Sequence, residues 1–160
     1  MQLFVTDINP AVCARHLDDL RLNKIIVESA QLISTSHPEL IHKPYKATHI
    51  NHPLVVWISE DIENYYWTVD YFKALCCQRT KRFPERLIHK TAFRFENIKS
   101  GKWSLKEEDF YNCTPYKDIP TFEAYKRYLL DKWKTSKSRP TWGGDVKDDL
   151  AKIFSFPCLS

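Results

Sequence analysis

Apolar positions recur at helical spacing in three long stretches of the chain, and the punctuation between them predicts helices joined by turns. The first eight residues, MQLFVTDI, are apolar at Leu3, Phe4, Val5 and Ile8, a run too short for more than a strand or an extended arm packed on the core. Asn9-Pro10 then opens a helix, because Asn accepts a free backbone N–H and Pro at the first helical position loses no hydrogen bond. The pattern predicts one helix to about Ser36, where His37-Pro38 stops it. Leu22, Ile25, Ile26, Val27, Ala30, Leu32 and Ile33 cover most of its wheel, as expected of a central helix. Arg21, Lys24, Glu28, Gln31 and Thr35 step by three and four residues and form one polar stripe, facing either water or a cleft.

A second helical stretch opens at Pro53, capped by Asn51 or His52, and PLVVWI reads as a buried turn and a half. Ser59-Glu60-Asp61 restarts a helix over about 60 to 81, with Ile62, Tyr65, Tyr66, Val69, Phe72 and Leu75 toward the core, and Phe83-Pro84 ends it. A shorter helix is expected over 85 to 97, then a turn at Gly101, an acidic loop near 106 to 109 and a turn at Thr114-Pro115. Thr121 and Glu123 open a last helix with Phe122, Tyr125, Leu129 and Trp133 on one face, followed by the basic, turn-rich KTSKSRPTWGGD. No series of alternating strands appears. The expected fold is mainly α: a single-domain helical bundle, residues 1–160, around a central long helix with a short extended N-terminal segment.

Composition narrows the function classes. With only 3 Gly there is neither a phosphate-binding loop nor a dinucleotide fingerprint, and no window is apolar enough for a membrane span. Five cysteines (Cys13, Cys76, Cys77, Cys113 and Cys158) without a C-x-x-C suit reduced thiols and a cytoplasmic setting. The net charge of +4 is unevenly distributed: residues 1–72 carry an acidic excess, whereas 73–102 hold nine Lys/Arg against Glu85 and Glu96. That segment is either a positive face for phosphates or a solvated helix surface.

Three groups of residues could carry chemistry. Lys24, Glu28 and Gln31 share the polar stripe; a lysine between apolar neighbours is expected to lose hydration and act as a nucleophilic amine, with a carboxylate one turn away to move protons. The bland alternative is a surface ion pair. His16, Asp18 and Asp19 lie one to two turns earlier; the His16 imidazole can reach the same cleft, the alternative being a solvated or structural histidine beside two aspartates. His49 and His52, before Pro53, read as a helix cap and hydrogen-bonding clamp or as two ligands of a metal lacking readable partners; neither a metal nor a cofactor is expected. Arg79, Lys81, Arg82, Arg86 and Lys90, interleaved with Phe83 and His89, suit phosphates and stacked bases. There is no nucleophile elbow and no serine or cysteine triad.

The segments NPAVCARHLDDLRLNK, THINHPLVVWISEDIENYYWTVDYFKALCCQRTKRF and RPTW together resemble the phage pyrimidine-dimer DNA glycosylases, also called endonuclease V. The resemblance implies a small all-helical domain that flips a base and cleaves the glycosidic bond through an amine–sugar Schiff base. His16 and Arg21 fall where that family has DNA-handling residues. The family's catalytic carboxylate falls on Asn23, which cannot act as a base, so that role moves to Asp19 or Glu28. The family's nucleophile is the amine exposed on removal of the initiator Met; the bulk of Gln2 predicts that Met1 stays, and Lys24 would stand in as the amine. The chain also looks like a group of small phage and bacterial proteins sharing K-x-x-x-E-x-x-Q and THxxHP…NYxW, which joins Lys24, Glu28, Gln31, His49, His52 and Asn64 in one site without naming a reaction. The expected function is thus a glycosylase or glycosylase/lyase acting on a damaged or modified base. A nucleotide-sequestering protein and a non-catalytic DNA-binding factor are the alternatives, with DNA or a nucleotide as partner and no membrane.

Overall fold

The computed structural model describes residues 1–144; Cys158 lies outside the described residues. Six α-helices follow one another: α1 (Pro10–His16), α2 (Asp19–Ser36), α3 (Pro53–Glu60), α4 (Ile62–Arg82), α5 (Lys90–Arg94) and α6 (Thr121–Thr135), with short 3-10 turns at Pro38–Leu40 and Glu107–Asp109. No strand occurs among the described residues, and no helix of theirs is long and apolar enough to cross a membrane. α2 and α4 pack on each other and share the centre, α4 also contacting α1 and α3. The core between them is built from Leu22, Ile25, Ile26 and Ile33 on α2 and Tyr65, Trp67, Tyr71 and Phe72 on α4. The N-terminal arm belongs to this core. Leu3, Phe4 and Val5 are buried, the Tyr71 hydroxyl donates to the Leu3 carbonyl, and Phe4 turns the arm through a left-handed conformation (φ 57).

The expected single helix from Asn9 to Ser36 is two helices, broken at Leu17-Asp18. Long-range bonds make the break. Asp18 is buried and spends its carboxylate on Arg21 Nη1 (3.1 Å) and on Trp133 Nε1 of α6 (2.8 Å) instead of capping α2. The Asp19 N–H, which a continuous helix would donate backward, donates to the Thr141 carbonyl at 2.8 Å. Arg82, at the end of α4, then closes the gap from the other side. Its Nη1 meets Asp19 Oδ1 at 3.1 Å, and its Nη2 donates to the carbonyls of Ala14 (3.4 Å) and Arg15 (3.1 Å). A helix C-terminus leaves such carbonyls unpaired and attracts a cation, so one guanidinium serves the end of α1 and the start of α2 together.

Other boundaries follow local chemistry. His52 caps α3, its Nδ1 accepting from the Leu54 N–H at 3.1 Å. Asp61 caps α4 by accepting from the Glu63 N–H at 2.8 Å, whereas Ser59 donates back to Val55 inside α3. The helix expected over 85–97 is reduced to Lys90–Arg94. Arg79 Nη1 takes the Leu87 carbonyl at 2.9 Å, so residues 83–89 form a pinned turn, and His89 begins the short helix as its cap.

Because the Arg82 side chain is 1 % exposed and bridges a carboxylate and two carbonyls, Arg82→Ala removes the buried cation that joins α1, α2 and α4 and leaves a cavity in its place. The expected loss is about 3–5 kcal/mol in urea denaturation. Arg86→Ala, four residues on and exposed, is expected to leave the urea midpoint unchanged.

Candidate active site

The buried arm ends at a cavity of about 360 Å³ between α2 and α6. Met1 and Gln2 line it from the arm, Arg21, Lys24 and Glu28 from α2, Tyr128 and Lys132 from α6, and Cys113 from the connecting loop. Gln2 locks the arm by a set of hydrogen bonds. Its backbone N–H donates to Glu28 Oε2 at 2.9 Å, its side-chain Nε2 donates to the Cys113 carbonyl at 2.8 Å, and its Oε1 accepts from the Leu3 N–H at 2.8 Å. The helical stripe predicted from sequence therefore faces a cleft at Glu28, and what stands opposite is the head of the chain.

Lys24 Nζ lies 3.7 Å from the other carboxylate oxygen, Glu28 Oε1, but its side chain is 68 % exposed against 16 % for Glu28. The lysine expected to lose hydration between apolar neighbours is instead largely open to water. Arg21 is fixed rather than free to swing: Nη1 holds Asp18 and Nη2 donates to the Lys132 carbonyl at 3.1 Å, tying α2 to α6 across the cavity. Burial pushes the Cys113 thiol up, which keeps it protonated near neutral pH, against the opposing charges of Lys117 and the α-amine.

His52 stands on the arm's other side. Its Nδ1 is the acceptor in the α3 cap, so the ring hydrogen sits on Nε2. Partial burial, then the positive charges of the α-amine and His49, lower its proton affinity; a hydrogen bond with the Met1 backbone and the charge of Glu28 oppose them. His52 thus lies within electrostatic reach of His49, Glu28 and the α-amine. His49 is exposed, adopts the left-handed region (φ 52), and pairs its Nδ1 with Thr48 Oγ1 at 2.8 Å. Its carbonyl accepts from the His52 N–H at 2.8 Å, so one turn carries both histidines.

Other residues singled out from sequence lie elsewhere. His16 is buried and bonds Thr6 Oγ1 through Nδ1 at 2.8 Å. Asp19 is occupied by Arg82, by Thr141 Oγ1 at 2.9 Å and by the Gly143 N–H at 3.0 Å, and does not line the cavity. Asn64 is buried and donates to the Trp57 carbonyl at 2.7 Å, joining α3 to α4 on a different cleft. Gln31 is half-buried, one turn beyond Glu28 and outside the cavity lining. In the basic segment, Arg82 is interior and Arg79 Nε is held by Asn23 Oδ1 at 2.8 Å; Arg86 is exposed with its guanidinium 4.1 Å from the Phe83 ring centre. His89 caps α5 through Nδ1, accepting from the Thr91 N–H at 3.2 Å. Among the described residues no group of three or more His, Cys, Asp or Glu is arranged to hold a metal ion.

Sequence reasoning missed Gln2, Cys113, Tyr128 and Lys132 as parts of this cavity. The arm carried the one available signal: a run as apolar as Leu3-Phe4-Val5 must be buried, and so carries residues 1 and 2 inward with it. Met1, Gln2 and Glu28 thus line one cavity together with Lys24, Arg21 and Lys132, and His52 lies within electrostatic reach of Glu28 and the α-amine.

The sequence model of the family described as pyrimidine dimer DNA glycosylase matches residues 1–88, which span the arm and α1 to α4. Comparison with curated proteins and with solved structures gave no match.

The histidine caps give a pH dependence of stability. Burial is the leading cause that lowers both His52 and His89 from the ordinary value of 6.5, and the neighbouring Arg79 charge adds to it at His89. The folded state therefore binds these protons less readily than the unfolded chain. Their contribution is complete above pH 6.5 and is lost as pH falls below it through the folded values. His52→Asn with His89→Asn keeps side-chain cap acceptors that cannot titrate, and should flatten the loss of thermal stability between pH 7.5 and 5.5. An unchanged pH profile would show that the caps do not contribute.

Proposed function

The chain belongs to the pyrimidine dimer DNA glycosylase family, and we propose on that footing that it removes a damaged pyrimidine from DNA with the α-amine at the head of its N-terminal arm as nucleophile and Glu28 as the proton-transfer group. The observation that supports this most directly is the 2.9 Å bond from the Gln2 N–H to Glu28 Oε2, which holds the chain's first residues against a carboxylate that lines the cavity. As a class, α-amines are much weaker bases than lysine side chains, so a larger share is unprotonated and able to attack near neutral pH. The amine is that of Met1, or that of Gln2 once Met1 is removed, in which case the nitrogen already bonded to Glu28 becomes the nucleophile.

The chemistry balances with these groups and water, which protonates the departing base and finally hydrolyses the Schiff base. The amine nitrogen forms a bond to C1′ of the damaged nucleotide as the glycosidic bond breaks, and the base departs with the electron pair. Glu28 accepts a proton from the attached nitrogen and returns it to O4′ as the C1′–O4′ bond opens, leaving an iminium (Schiff base) between protein and sugar. Glu28 can then take a proton from C2′, expelling the 3′ phosphate and cutting the strand. Lys24 and Lys132, which line the cavity, supply positive charge for the flanking phosphates. His52, neutral and bonded to the Met1 backbone, orients the amine.

The reading is tested by strand cleavage of a duplex carrying one cyclobutane pyrimidine dimer. Glu28→Gln should lower the single-turnover rate by about 10²-fold or more, while Lys24→Ala, which removes charge but not the nucleophile, should retain activity within about tenfold. An active Glu28→Gln variant would refute the assignment of Glu28, and an inactive but folded Lys24→Ala variant would move the nucleophile to the lysine.

A further inference from the structure

The segment 73–102 carries most of the excess positive charge, yet the fold uses its arginines unequally. Arg82 is interior, and Arg79 is committed to the turn that follows α4. At the tip of that turn stand Leu87, 90 % exposed, and Ile88, 65 % exposed; Leu87 is the most exposed large apolar side chain among the described residues. Single exposed leucines are ordinary. An adjacent pair held out on a rigid turn is not.

The rigidity is visible in the bonding. Arg79 Nη1 grips the Leu87 carbonyl while its Nε grips Asn23 Oδ1, so the turn is bolted to α2 one residue before Lys24. The turn begins with the Arg86 N–H donating to the Phe83 carbonyl at 3.1 Å, and ends at the His89 cap. Arg86, stacked on Phe83, and Lys90 flank the apolar pair, and both are exposed. Glu85 is the one acidic residue from 83 to 90. An apolar tip between cations complements a base stack between phosphates, and aliphatic side chains inserted at a base step are a recurrent way to unstack and bend a duplex.

We infer that Leu87 and Ile88 form a wedge that enters a base step of duplex DNA beside the nucleotide held at Glu28, with Arg86 and Lys90 on the adjoining phosphates. The inference rests on the glycosylase reading for the position of the strand over Glu28, and adds the device that opens the stack. Extruding a nucleotide costs unstacking energy, which the wedge offsets by burying two aliphatic side chains that the free protein leaves in water. Single-stranded DNA has no stack to open, so the wedge matters only on duplex.

The test compares the full chain with a Leu87→Ala/Ile88→Ala variant on one oligonucleotide carrying an abasic site, offered as duplex and as single strand. Both positions are solvent-facing, so thermal midpoints should agree. Expected are a tenfold or greater loss of the cleavage rate on duplex, less than twofold on single strand, and an unchanged salt slope of duplex binding, whereas Arg86→Ala should reduce that slope by about one. Equal rates on duplex, or equal losses on both substrates, would overturn the wedge and leave the tip as a protein-facing patch. An independent readout uses a duplex with a stable abasic analogue next to 2-aminopurine. Its fluorescence should rise with the wild type and not with the double variant, even if the wild type cleaves neither substrate, an outcome that would count against the glycosylase reading alone. A rise of equal size with both proteins would overturn the wedge.

Discussion

The interaction on which the architecture turns is the contact between Arg82 and the break between the first two helices. One buried guanidinium binds the carboxylate at the start of α2 and the carbonyls at the end of α1, and so fixes α4 against both. Asp18 extends the same junction to α6 through Trp133, and Thr141 and Gly143 close it from the segment that follows α6. A continuous helix from Asn9 to Ser36 could not make these bonds, because its N–H groups at 18 and 19 would point along its own axis. Breaking the helix costs local hydrogen bonds. The break recovers them as tertiary ones, and α2 acquires a fixed direction and rotation.

That rotation determines what Glu28 faces. With α2 held at its head by Arg82 and across the cavity by the Arg21 bond to Lys132, the polar stripe turns toward the arm at Glu28 and toward solvent at Lys24. The arm is placed independently, by burial of Leu3, Phe4 and Val5 and by the Tyr71 hydroxyl. Two separately anchored elements thus meet at the Gln2–Glu28 bond, and neither can shift without losing core contacts. The strained His49 turn fits this arrangement, because a left-handed non-glycine residue persists where its surroundings over-determine it.

Much of the fold is legible in the sequence because its helix ends are written locally. Asn9-Pro10, His52-Pro53 and Phe83-Pro84 each act through the nearest few residues, and each boundary lies where local chemistry predicts. The break at Leu17-Asp18 has no such mark, neither glycine nor proline, since its cause lies more than sixty residues away in Arg82 and farther still in Trp133 and Thr141. The site divides the same way. Glu28 stands out through helical spacing, but the same spacing offers Lys24 as its partner, and a wheel cannot display an arm that arrives from 26 residues earlier. Charge is legible as a segment and not as a surface: Arg82 and Arg86 look alike in sequence, yet one is interior and one exposed. His52 caps α3 as its place before Pro53 predicts, whereas Asn64, placed beside it by a shared pattern, bonds within the α3–α4 joint.

The central claim is that the amine serving Glu28 belongs to the head of the arm. It is tested most directly by incubating the full chain with an oligonucleotide carrying an abasic site, reducing with borohydride, and locating the adduct by peptide mass spectrometry. The account predicts an adduct on the α-amine of Met1, or of Gln2 if Met1 has been removed, persisting in Lys24→Ala. An adduct confined to Lys24 Nζ, or no adduct beside a working positive control, would contradict it.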